Sequence, residues 1–86
     1  MSADRVKRLI YRSCYTGTKE LDLVLGAFAR AHLAAFDPDQ LDRYEALVTA
    51  ENPDLYAWVF RREPPPPEHD TDVLVMIQGY AGTSQD

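Results

Sequence analysis

An 86-residue chain has room for one domain and one modest core, because a short chain buries a smaller share of its surface than a long one. Apolar residues at 45% and charged residues at 27% are the proportions of a folded globular domain and exclude a disordered polymer. Fourteen acids against nine bases give a net charge of −5, which removes the electrostatic footprint of a nucleic-acid binder.

The charge is unevenly distributed. Residues 1–19 carry five bases and one acid, and the rest of the chain four bases and thirteen acids, so one end is basic and the remainder acidic. No apolar run approaches the roughly 20 residues of a membrane span, and the N-terminus lacks a signal-peptide pattern. A soluble, cytoplasmic protein without membrane association is expected. Cys14 is the only cysteine, which excludes an intrachain disulfide and a thiolate zinc cluster.

In chain order, Val6, Leu9 and Ile10 lie at helical spacing among Arg5, Lys7, Arg8 and Arg12, predicting an amphipathic helix over about residues 3–13 with a basic exposed face. Small polar residues and Gly17 between Ser13 and Thr18 then predict a turn. Leu21, Val24, Leu25, Phe28 and His32 define a second, central helix over about residues 18–35. Gly26 inside it costs up to about 1 kcal/mol against alanine, so either a neighbouring helix packs closely there or the helix kinks.

Asp37-Pro38-Asp39-Gln40 has the grammar of a helix start: a capping carboxylate, proline at the first position, and a glutamine at capping-box spacing. Leu41, Tyr44, Leu47 and Val48 supply the buried stripe of this third helix. Asn52-Pro53-Asp54 repeats the chemistry, with Asn52 read as the cap and Pro53 as the first helical position. Leu55, Trp58 and Val59 form the apolar face of that fourth helix, which ends at Arg61-Arg62-Glu63. Pro64–Pro67 predict a stiff extended spacer. Val73, Met76, Ile77 and Tyr80 give a fifth helix over about residues 71–80, with a frayed tail from about residue 81. The fold class is all-α: one compact five-helix bundle, its core drawn from Leu21, Leu25, Phe28, Leu47, Leu55, Trp58 and Ile77.

Catalytic chemistry has little to stand on. Cys14 lies near Arg12, but a thiol enzyme needs a base and an orienting third group. His32 falls on an apolar stripe, and His69 sits in a turn between Glu68 and Asp70 that reads as solvated. Glu68-His69-Asp70 are consecutive, a poor arrangement for a rigid metal site. No nucleotide-binding or metalloprotease fingerprint is present. No catalytic, metal or cofactor site is therefore expected on this chain, and it reads as a non-enzyme.

Three stretches remain: Arg8-Leu9-Ile10-Tyr11-Arg12-Ser13, Gly17-Thr18-Lys19-Glu20-Leu21-Asp22, and Pro53-Asp54-Leu55-Tyr56-Ala57-Trp58. In this order and spacing they resemble the succinate dehydrogenase FAD assembly factors, small five-helix proteins, over about residues 5–80. The resemblance implies a chaperone-like factor that binds the flavoprotein subunit of succinate dehydrogenase, or that of fumarate reductase, and promotes covalent FAD attachment to it. The implied partner-binding residues are Arg8, Tyr11, Arg12, Thr16, Gly17, Lys19, Glu20 and Asp54. The family's Arg-Gly-x-x-Glu motif falls on Thr16-Gly17-Thr18-Lys19-Glu20, so Thr16 replaces its arginine and removes a charge-assisted contact. A helical adaptor for a different protein partner is the alternative, and a monomer is expected when the chain is free.

Overall fold

The protein is described here by a computed structural model covering residues 2–84, with side chains described for residues 4–82. Helix α1 spans Ser2–Cys14, α2 Lys19–His32, α3 Pro38–Val48, α4 Asn52–Val59 and α5 Asp72–Ser84. There is no strand among the described residues. Short 3-10 turns at Leu33–Ala35 and Pro67–His69 complete the chain. The expected five-helix, all-α architecture is observed.

Helix α2 is central because its apolar residues recur every three or four positions, so Leu21, Val24, Leu25, Phe28 and Ala29 are all buried. Helix α1 packs along α2, and α5 covers another part of it. At Gly26 a Cβ would lie 2.9 Å from the Cys14 sulfur, so the glycine marks a close approach of the end of α1. Between the two readings of Gly26, close packing accounts for the residue. The second helix ends earlier than its expected limit of residue 35, tightening into a 3-10 turn after His32.

Helix α3 starts as expected. The Gln40 backbone N–H donates to Asp37 Oδ1 at 2.8 Å, and the Asp37 N–H donates to Gln40 Oε1 at 3.2 Å, a reciprocal capping box. Arg5 ties α1 to α3 by reaching Asp42 at 2.6 Å and Glu45 at 2.7 Å. Hydrogen bonds to those two carboxylates raise its already high pKa further. One basic side chain of α1 is thus used internally.

All seven core residues named above are buried in one cluster, together with Leu9, Leu33, Leu41, Tyr44, Val59, Val73, Leu74 and Ala81. Tyr44 brings a hydroxyl into this cluster and bonds Ser13 there, while Ser13 donates to the Leu9 carbonyl at 2.6 Å. The buried phenol is therefore satisfied. Removal from water pushes its pKa up to about 12.

Three expectations are corrected at the C-terminal half. Met76 is 37% exposed, and Leu74 and Ala81 take the buried positions of α5 with Val73 and Ile77. Helix α5 runs Asp72–Ser84, past its expected end at residue 80; Gln85 and Asp86 lie outside the described residues. His69 is half-buried, its ring 5.1 Å from that of Trp58, so the turn beyond the prolines is packed rather than solvated.

Candidate functional site: the turn between the first two helices

Four residues connect α1 to α2, and their geometry follows from one glycine and one carboxylate. Gly17 has φ +103°, a conformation in which a Cβ would be strained. Asp22, on the first turns of α2, accepts hydrogen bonds from both the N–H and the hydroxyl of Thr16, each at 2.6 Å. The same hydroxyl oxygen accepts from the Thr18 N–H at 3.3 Å. Thr16 is thus fixed from both sides.

A third support comes from α4. Asn52 does not cap that helix; Glu51 occupies the cap position without a side-chain bond, and the helix already includes Asn52. The Asn52 amide instead donates to the Thr16 carbonyl across 36 positions of sequence. Its nitrogen would lie 3.0 Å from a Cβ placed on Gly17, so bare backbone at position 17 and the amide of Asn52 occupy one packed junction. The sequence contains the residue but disguises its role, because Asn-Pro-Asp is ordinary capping grammar.

Around this turn the eight sequence-predicted residues are distributed on three elements. Arg8, Tyr11 and Arg12 are exposed on α1, at the three- and four-residue spacing of one helical side. Tyr15 continues that side, its ring 4.7 Å from Tyr11, and the two rings are 69% and 68% exposed. Gly17, Lys19 and Glu20 are exposed at the turn and the start of α2, while Thr16 is half-buried. Asp54 is exposed in the first turn of α4, next to the Asn52 contact. Arg8, Arg12, Lys19 and Asp54 form no ion pair among the described residues.

The structure brings most of these residues into neighbouring surfaces. Arg8 and Arg12 line one hollow with Leu9, and Arg12 and Thr16 line the next with Asn52 and Pro53. On the far side of the turn the Tyr56 hydroxyl approaches Glu20 Oε2 at 3.5 Å. Tyr15, Asn52 and Tyr56 were not among the predicted site residues. The paired exposed tyrosines could have been found from their i, i+4 spacing beside two arginines.

The residues weighed for catalysis are not brought together. Cys14 receives a contact from the Arg30 guanidinium at 3.3 Å, not from Arg12. His32 packs its ring on Phe28 at 4.7 Å and on Tyr80 at 5.9 Å. What the arrangement offers is an exposed, pre-ordered turn with basic and aromatic side chains on one flank and a carboxylate on the other.

Comparison with known proteins decides the family. Residues 7–81 match the family described as the flavinator of succinate dehydrogenase. The chain belongs to that family. It is 33% identical over 85 residues to the mitochondrial succinate dehydrogenase assembly factor 2 of Drosophila virilis, covering 96% of this chain and 54% of that protein. The Dictyostelium discoideum protein of the same name is 35% identical over 74 residues, covering 86% of this chain and 52% of that relative. The chain thus spans about half the length of the curated relatives it matches. Among the described residues, no helix is long and apolar enough to cross a membrane.

Proposed function

We propose that this chain is an assembly factor that binds the flavoprotein subunit of succinate dehydrogenase, and by the same surface that of fumarate reductase, and promotes its covalent FAD attachment. The observation that carries this reading is the family match over residues 7–81, which includes the whole ordered turn and its flanks. The chain acts without a catalytic residue or cofactor of its own. The flavin and the residue it is bonded to belong to the partner.

The docking surface in this reading consists of Arg8, Tyr11, Arg12, Thr16, Gly17, Lys19, Glu20 and Asp54. Gly17 lets the partner backbone approach closely, and the exposed Glu20 carboxylate accepts a charge-assisted hydrogen bond. Because Thr16, next to Gly17, is held by Asp22 and Asn52, little ordering entropy opposes binding. Higher affinity for the flavin-competent conformation of the partner than for its other conformations is sufficient to shift that population.

Within the same proposal the single helical domain is a monomer when free and works in the cytoplasm, whereas the relatives are named mitochondrial. Cell fractionation checks the location. Deletion of the gene followed by in-gel flavin fluorescence tests the function: a flavoprotein band that loses its fluorescence is expected, and an unchanged band refutes the reading.

A further inference from the structure

A second surface lies on the other side of Glu20. A concavity of about 580 Å³ runs between the end of α4 and α5, and Glu20, Tyr56, Arg61, Arg62, Gly79 and Gly82 line it. Its α5 wall is formed by Gln78, Gly79, Ala81 and Gly82; the Gln78 amide donates to the Trp58 carbonyl at 2.9 Å, and a Cβ on Gly79 or Gly82 would meet nothing within 4 Å. The α5 segment carries no charged residue between Val73 and Ser84.

The opposite wall is cationic and oddly built. Helix α4 ends with the Arg62 N–H donating to the Ala57 carbonyl at 2.7 Å and the Arg61 N–H to the Trp58 carbonyl at 3.3 Å, the bond pattern of a Schellman ending. That ending places its next residue in the left-handed region, normally a glycine. Here the residue is Arg61, at φ 58°, a conformation that strains a residue carrying a Cβ. A strained arginine on the wall of a cavity is an observation that calls for a role there. Arg62 is held over the Tyr56 ring, 5.6 Å from its centroid, so its guanidinium is oriented before any ligand arrives. Neither arginine forms an ion pair among the described residues.

We infer that this groove receives an acidic segment of the partner protein, its carboxylates on Arg61 and Arg62 and its intervening side chains on the Gly79–Gly82 wall. Charge selects the occupant: two guanidinium groups without an ion pair favour carboxylates, and the Glu20 carboxylate, 3.5 Å from the Tyr56 hydroxyl, repels an acid beside it and so fixes the direction in which the segment lies. The identity of the partner as the flavoprotein subunit rests on the function proposed above. The groove itself is argued from its own residues.

Two arms of one experiment separate the ideas. In the first, the full chain is titrated with a blocked hexapeptide of alternating glutamate and leucine, and amide shifts are followed by NMR. Saturable shifts at Tyr56, Arg62, Gly79 and Gly82 are expected; they vanish in the Arg61→Gly, Arg62→Gln double variant and do not occur with a lysine and leucine peptide. Shifts centred on Arg8 and Arg12, or shifts that persist in the double variant, overturn the inference. Arg61→Gly suits the left-handed position, so a folded variant is expected, and its thermal midpoint is measured alongside. In the second arm, dissociation constants for the flavoprotein subunit are measured at two salt concentrations. A weakening of about tenfold or more in the double variant, shrinking as salt rises, is expected, and an unchanged constant overturns the inference. Failure of the unaltered chain to bind the flavoprotein refutes the proposed function instead, and the peptide arm then decides the groove alone.

Discussion

Replacing Asn52 with alanine isolates the contact that ties the candidate docking turn to α4. The amide donates to the half-buried Thr16 carbonyl, and a neutral hydrogen bond is worth about 0.5–1.5 kcal/mol net. Water can reach a half-buried acceptor, so the full penalty of an orphaned buried group does not apply. Asn52 is the first residue of α4, where interior helix propensities do not apply, so a net loss of about 0.5–1.5 kcal/mol is expected, which lowers the thermal midpoint by about 2–12 °C in a domain of this size. The sharper test is a double-mutant cycle with Gly17→Ala. That substitution alone carries backbone strain of about 1–3 kcal/mol and brings its Cβ to 3.0 Å from the Asn52 nitrogen. In the Asn52→Ala background the strain remains but the contact is gone, so the double variant is less damaged than the sum by at least about 0.5 kcal/mol. Urea denaturation followed by circular dichroism measures all four corners. Additivity within about 0.3 kcal/mol would refute the packed junction between position 17 and Asn52.

Four further outcomes are expected. Arg61→Gly raises stability by about 1 kcal/mol because it relieves the left-handed strain, and a loss in chemical denaturation would contradict that account. Trp58→Ala costs about 3–5 kcal/mol, since Trp58 is 9% exposed and its ring faces His69; a loss below about 1 kcal/mol would mean that the indole packs little. Burial holds the Tyr44 pKa up at about 12 against about 10 in the unfolded chain, so the unfolded state releases the proton first and stability falls by up to about 1.4 kcal/mol per pH unit from pH 10 to 12; Tyr44→Phe should remove that slope, and parallel curves for the two proteins would refute it. Thr16→Arg loses the hydroxyl bond to Asp22 and about 1 kcal/mol of stability, yet it should bind more tightly a flavoprotein whose own factor carries the arginine; equal dissociation constants would place position 16 outside the interface.

The sequence made the fold legible wherever one residue type has a single local use. Asp37 and Gln40 form the capping box that their spacing predicts, Gly17 takes the positive φ its turn requires, and the stripe of α2 is buried where its period places it. Legibility failed where one pattern serves two structures. Val73 to Ile77 is an unbroken apolar run, so periodicity cannot choose between Leu74 and Met76 for the core. Asn52 before Pro53 reads as a cap, and nothing local reveals that its amide reaches Thr16. The left-handed ending at Arg61 was invisible because arginine gives no signal for that conformation, which glycine normally supplies. At the candidate site, the turn and its exposed carboxylate were readable, while the bonds that hold them depend on residues brought close only by folding.

These hidden contacts bear on Thr16, where the resemblance implies an arginine. An arginine at that position would project charge toward a partner, whereas Thr16 turns its hydroxyl inward to Asp22 and Thr18. On the proposed docking surface, the chain thereby exchanges a direct contact for a stiffer turn. A stiffer turn lowers the ordering cost of every other contact the surface makes, so the loss of one charged group need not lower affinity in proportion. Arg8 and Arg12 of α1 line other hollows than Arg61 and Arg62 after α4, so a partner spanning both, as proposed, would meet positive charge twice. On the proposed surface, an otherwise acidic protein presenting its cations in two separate places gains orientation from them more than affinity, because an acidic partner docked the wrong way round would set its own acids against the −9 carried by residues 20–86.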